Sequence, residues 1–416
     1  MANKELYKRI IAENQQFVKS ISFFERDYYF DEGLNYVVVG LRRAGKSYLL
    51  YQQIHHFLKA GHDIDEILYF NFEDDRLGEM SLADLDVIKT AYEEMFAAKP
   101  MFFLDEIQIV DGWEKFARRL ADRGYRVYVT GSNAKMLSSE IATTLGGRYS
   151  VMEVFPLTFK EYLRSDGIEM NSPNAIYRND IEISRELIQY FQYGGLPEVR
   201  ERQDKRAWTS GLFNKIFFGD LVSRYQVRND YALKLLIRKL AESVKQPISY
   251  NRMSTIVSTA GKKISTDTVI AYVEYMKESW LLLPIENICS KLVDRVSNRK
   301  YYFIDNGILN LFLADPETSL LENMVAVQLY KRYGDNLFFY KDNVEVDFYI
   351  PDIQAAIQVC YSLGDSVTLQ RETDALLKIG KRLPVKEKII ITRDESRTLD
   401  DAGVTIVSLR DWLLSL

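Results

Sequence analysis

Eight residues constrain this chain more than any others: Gly40-Leu41-Arg42-Arg43-Ala44-Gly45-Lys46-Ser47. They match the pattern G-x-x-x-x-G-K-[ST]. An apolar, strand-like run, Tyr36-Val37-Val38-Val39, precedes them, and a helical stretch over 48–58 follows. The glycines let backbone N–H groups turn inward and cradle phosphate oxygens. The loop ends at a helix N-terminus, whose partial positive charge favours an anion. Lys46 can bridge the β- and γ-phosphates, and the Ser47 hydroxyl can ligate Mg²⁺. The expected ligand is ATP with Mg²⁺, held by Gly40, Arg42, Arg43, Ala44, Gly45, Lys46, Ser47 and Tyr48. The competing reading is a chance match on a surface loop, which the strand before and the helix after argue against.

Around this loop the chain alternates between strand and helix. Residues 1–30 read as an amphipathic helical lead-in. Further strands are expected at 67–72, 101–104 and 127–130, all apolar enough to be buried on both faces of a parallel sheet. The fold class is therefore α/β, with a phosphate-loop parallel sheet as its core.

Phe102-Phe103-Leu104-Asp105-Glu106 is an apolar run ending in two carboxylates. At the C-terminal edge of a parallel sheet these point into the ligand crevice. Asp105 is expected to hold Mg²⁺ through water, and Glu106 to polarise the water that attacks the γ-phosphate. Thr130-Gly131-Ser132-Asn133 ends the next strand, so Ser132 or Asn133 is a candidate sensor of the γ-phosphate; a plain turn and helix cap is the other reading. Arg148, behind Gly146-Gly147, is a candidate arginine finger acting within its own chain or on another copy, with a surface salt bridge as the alternative.

These segments, followed by Phe155-Pro156-Leu157-Thr158-Phe159, Tyr193-Gly194-Gly195-Leu196-Pro197 and Glu345-Val346-Asp347-Phe348, resemble one family in order and over nearly the whole chain. It is the prokaryotic AAA-type ATP-binding proteins that carry a C-terminal domain of unknown function. The resemblance implies an AAA-type core, a helical middle with a winged-helix-like unit, and a C-terminal restriction-endonuclease-like fold. The expected domains are 1–155, 156–310 and 311–416.

The middle has its own pattern: three helices, at 233–244, 249–258 and 265–277, followed by two strand-like runs at 280–286 and 300–304. This is the order of a winged helix-turn-helix. Residues 231–310 hold 12 Lys/Arg against 7 Asp/Glu in a chain of net charge −5, so a basic segment lies within an acidic whole. Candidate DNA contacts are Ser265 and Thr266 at the third helix's tip and Lys262, Lys263, Lys291, Arg295, Arg299 and Lys300 on phosphates. Winged helices also serve as protein-docking elements or lids, and Asp267 at the tip repels DNA.

In the C-terminal segment, Glu322, Glu345 and Asp347 would correspond to the acidic part of a nuclease-like site. Gln358-Val359-Cys360 stands where an intact site of that kind reads Glu-x-Lys, so a metal-binding charge and the lysine are both missing. An inactive nuclease-like domain is expected.

Composition closes off other classes. With 27% charged and 47% apolar residues the chain is globular in type. Two cysteines, Cys289 and Cys360, make no disulfide framework, so a reducing, cytoplasmic location is expected. No apolar run is long enough to span a bilayer, and a membrane partner is not expected. A protein partner and a homo-oligomer remain open.

Overall fold

The computed structural model describes residues 2–137, 143–170, 172–261 and 263–416. Two compact units result, Met1–Phe155 and Pro156–Leu416.

The first unit is built on five strands, β1 (Asn35–Gly40), β2 (Ile67–Asn71), β3 (Met101–Asp105), β4 (Val127–Gly131) and β5 (Tyr149–Val154). All run parallel in the order β2-β3-β4-β1-β5. Val37, Val38 and Val39 are fully buried, as helices on both faces of a parallel sheet require. The register sets Phe103 opposite Tyr128 and Tyr128 opposite Tyr36. The Phe103 and Tyr128 rings stack with centroids 4.7 Å apart, a cross-strand pair that holds β3 against β4. The lead-in helix α1 (Ala2–Ser20) buries Tyr7, Ile10, Ile11 and Val18, all on one helical stripe. Helix α2 (Lys46–Lys59) follows the phosphate loop. The order matters for the site: β4 lies between β1, which carries the loop, and β3, which carries Asp105.

The second unit holds a nine-stranded mixed sheet. Its strands are β6 (Ile248–Ser249), β7 (Leu282–Asn287), β8 (Asn298–Phe303), β9 (Phe338–Lys341), β10 (Glu345–Ile350), β11 (Ala355–Cys360), β12 (Glu387–Thr392), β13 (Arg397–Leu399) and β14 (Val404–Ser408). They run in the order β13-β14-β12-β11-β10-β9-β7-β8-β6. The strands read as a wing, β7 and β8, pair antiparallel, and β7 also pairs with β9. A single sheet therefore crosses the boundary expected at 310/311, which falls inside this unit.

The Gly-Gly-Leu-Pro turn has a local explanation. Gly194 adopts φ +78°, and a Cβ there would lie 2.1 Å from the Asp305 carboxylate. That carboxylate is buried and accepts N–H bonds from Gly195 and Gly307, each at 2.8 Å. Burial pushes the Asp305 pKa up to about 6, against the pull of those N–H groups. Among the described residues no helix is long and apolar enough to cross a membrane.

Candidate nucleotide site

Gly40 ends β1 with φ +152°, and a Cβ there would sit 2.3 Å from the Val154 carbonyl oxygen on β5. Only glycine lets these neighbours pack while the chain turns away. Arg43 and Gly45 are also left-handed, with φ of 65° and 98°. The loop then meets α2 directly, so its amides gather at that helix's N-terminus. The Lys46 ammonium is buried and folds back onto its own loop, donating to the Gly40 and Leu41 carbonyls at 3.1 Å each. It also lies 3.6 Å from Glu106 Oε1.

Asp105 and Glu106 are both buried at the end of β3. Burial and the adjacent Glu106 charge raise the Asp105 pKa, opposed by hydrogen bonds from Thr130, Ser47 and Tyr69. Tyr69 Oη donates to Asp105 Oδ2 at 2.7 Å, and Thr130 Oγ1 donates to Oδ1. A carboxyl whose ionised form is costly here gains from a bound cation, and the Ser47 hydroxyl is beside it. Thr130 also accepts the Glu106 N–H at 2.9 Å. The intervening β4 thus ties both carboxylates to the rest of the sheet.

Glu106 behaves in the opposite way. Burial alone would raise its pKa, but the Lys46 charge, a Gln108 hydrogen bond and the Arg42 charge outweigh it and the net shift is down. Its backbone is left-handed, with φ 56°, which turns the chain sharply after the strand. Arg42 Nη1 pairs with Glu73 at 2.8 Å, and Tyr48 is half-exposed, its ring edge against Tyr51. Ser132 is buried one residue beyond β4, and its Oγ has no hydrogen-bond partner. Asn133 opens the turn Ala134–Leu137, its carbonyl accepting from Met136 N–H at 3.1 Å.

Arg148 is not brought to this group. It precedes Tyr149, which pairs with Asn35 at the start of β1, whereas Val154 pairs with Gly40. Six residues at about 3.3 Å each separate it from the phosphate loop, roughly 20 Å. Arg148 thus stands at the far end of β5 from the phosphate loop, its guanidinium paired with Asp122.

Arg26 escaped the sequence reading. It is buried, and its guanidinium donates to the Ala44 carbonyl at 2.9 Å and the Phe155 carbonyl at 3.1 Å, bracing the loop from behind. Its only signal was a charge set among the aromatics of residues 23–30. Thr130, Tyr69 and Gln108 were also missed, because their roles depend on which strands become neighbours.

In the second unit the main correction concerns Lys300. As a candidate phosphate contact it should be exposed, yet it is fully buried. Its Nζ lies 3.3 Å from Glu322, 3.2 Å from Glu345 and 3.2 Å from Asp347. The positive charge that Cys360 cannot provide comes from β8 instead. Gln358 caps this cluster, accepting from Asp347 N–H at 2.8 Å and donating to Glu372 at 2.6 Å. Burial raises the Cys360 thiol pKa, which makes the thiol less reactive. Among the described residues no group of three or more His, Cys, Asp and Glu side chains could hold a metal ion.

The other proposed DNA contacts are mostly committed elsewhere. Arg295 donates to the Ile288 and Ser290 carbonyls, and Arg299 pairs with Glu286 at 2.6 Å. Ser265 caps the helix Thr266–Glu278, and the Thr266 hydroxyl bonds Asn251. Lys263 and Lys291 are exposed. Lys262 lies outside the described residues.

A family model described as an AAA domain matches residues 34–163, and one described as a domain of unknown function, DUF8612, matches 184–319. An uncharacterized Methanocaldococcus jannaschii protein, MJ1544, is 33% identical over 99% of this chain and 96% of its own length. An uncharacterized Haemophilus influenzae protein is 30% identical over 91% of this chain and 94% of its own. Among solved structures, the walker-type ATPase PABY2304 of Pyrococcus abyssi aligns with a TM-score of 0.41 and 14% identity, over 74% of this chain and 95% of that one. The parallel five-stranded core is that of a P-loop NTPase, and the chain belongs to the AAA-domain proteins that carry DUF8612, the family of MJ1544.

Proposed function

We propose that the first unit binds ATP with Mg²⁺ and hydrolyses it, and that the cycle changes the position of the second unit. The observation that carries this reading is the convergence of Lys46, Ser47, Asp105 and Glu106 at one sheet edge, with the two carboxylates tuned in opposite directions. Ser47 and Asp105 are the residues that would hold Mg²⁺, which when bound neutralises phosphate charge. Lys46 exchanges its two loop carbonyls for phosphate oxygens as the nucleotide enters. Glu106, kept ionised by Lys46, accepts the proton of the attacking water. Ser132 and Asn133 lie one strand over, where a γ-phosphate would be read. If Arg148 takes part, it acts on the site of a second copy.

Nucleotide-gated DNA binding finds less support, because Arg295, Arg299 and Lys300 spend their charge inside the protein. A Mg²⁺-dependent nuclease finds less still, since uncharged Gln358, bonded to Asp347 N–H and Glu372, stands where such a site needs a second metal-binding carboxylate. The test is ATP turnover by the wild type and by Lys46→Ala. The reading expects turnover in the first and its loss in the second; equal rates, or none in the wild type with Mg²⁺, would refute it.

A further inference from the structure

Gln108 lies in the single turn Ile107–Ile109, directly after Glu106. The left-handed backbone of Glu106 folds that turn back, so Gln108 Nε2 donates to Glu106 Oε2 at 2.5 Å. The other carboxylate oxygen is the one facing Lys46. Glu106 is therefore held from both sides, and its orientation is set before any nucleotide arrives.

The rest of the Gln108 amide is the more informative part. Its Oε1 is buried with no hydrogen-bond partner. It packs over Gly131, where a Cβ would lie only 2.4 Å from it. The next residue is Ser132, whose hydroxyl is near enough to the Glu106 carboxylate to help keep it ionised, yet makes no hydrogen bond of ordinary geometry. A buried polar atom without a partner costs about 1–3 kcal/mol. The amide keeps that cost while committing its N–H to Glu106, so what the Gln108 side chain serves is the orientation of this carboxylate.

We propose that Gln108 is a positioning residue for hydrolysis: its N–H holds the Glu106 carboxylate in the orientation from which it takes a proton from the attacking water. This rests on the reading that ATP is hydrolysed here. In the step, the water oxygen bonds to the γ-phosphorus as the bond to the β–γ bridging oxygen breaks. The water proton goes to Glu106, and ADP and inorganic phosphate are the products.

The experiment pairs Gln108→Ala and Gln108→Glu with the wild type, measuring ATP turnover and, separately, binding of a fluorescent ATP analogue. Removing the amide is expected to lower kcat about 10- to 100-fold, the scale of a misplaced reacting group. Affinity for the analogue should stay within about 2-fold, because Gln108 touches the base and not the phosphate loop. Gln108→Glu keeps the side chain's size and replaces the N–H donor with a second carboxylate facing Glu106, so its kcat should fall at least as far as that of Gln108→Ala with affinity for the analogue unchanged, whereas a role in packing alone would leave kcat at the wild-type value. Wild-type kcat in either variant overturns the proposal alone. A wild type that binds the analogue and does not turn ATP over overturns the hydrolysis reading, and this proposal with it.

Discussion

Lys300→Met tests whether the buried charge cluster of the second unit depends on a single ammonium. Methionine keeps most of the side chain's length and removes only the charge. The Nζ it deletes lies within 3.3 Å of three carboxylates and is fully shielded from water. Removing one partner of a buried ionic group costs about 3–5 kcal/mol, because the remaining charges are left uncompensated. For a unit of this size that is a fall of roughly 10 °C in Tm. The effect should depend on pH, and its sign follows from Glu322. Burial, opposed by Lys300, pushes the Glu322 pKa up to about 7. A carboxyl raised in the folded state stabilises most when protonated, below its unfolded pKa, and that contribution is lost as pH rises through about 7. Without Lys300 the pKa climbs further, so the deficit of the variant should be large at pH 8 and shrink toward pH 5. Thermal unfolding followed by circular dichroism at several pH values measures this. Lys300→Met combined with Glu322→Gln should recover part of the loss. A deficit below about 2 °C, or one independent of pH, would refute the reasoning.

Three further outcomes are expected. Arg26→Met leaves the Ala44 and Phe155 carbonyls without their donor and should cost about 1–3 kcal/mol in chemical denaturation, with weaker nucleotide binding by titration. Thr130→Val removes the donor to Asp105 and the acceptor for the Glu106 N–H, so it should depress ATP turnover more than nucleotide affinity in steady-state kinetics. Gly40→Ala forces a Cβ against the Val154 carbonyl and should abolish nucleotide binding, or folding of the first unit, as judged by titration and circular dichroism.

What could be read from the sequence was local in character. The phosphate loop, the carboxylates after an apolar strand and the strand–helix alternation are each set by residues within about ten positions, and each fell where expected. What escaped depends on distant neighbours. Nothing near residue 26 shows that its guanidinium will meet the carbonyls of Ala44 and Phe155. Thr130 reads as a strand residue until β4 is found between β1 and β3. Lys300 is the sharpest case: in a basic segment it resembles a surface charge, and only the pairing of β8 with β7, and of β7 with β9, carries it under Glu322 and Asp347. The place of Arg148 was hidden for a similar reason, since a glycine turn says nothing about which end of the sheet it leads to.

The central claim is that Glu106 is the base of an ATP hydrolysis centred on the phosphate loop. Glu106→Gln keeps the shape and removes the base, so the most direct measurement compares single-turnover ATP hydrolysis and ATP binding in this variant and the wild type. The account predicts retained binding with hydrolysis slowed at least about 100-fold. Hydrolysis at the wild-type rate in Glu106→Gln would contradict it.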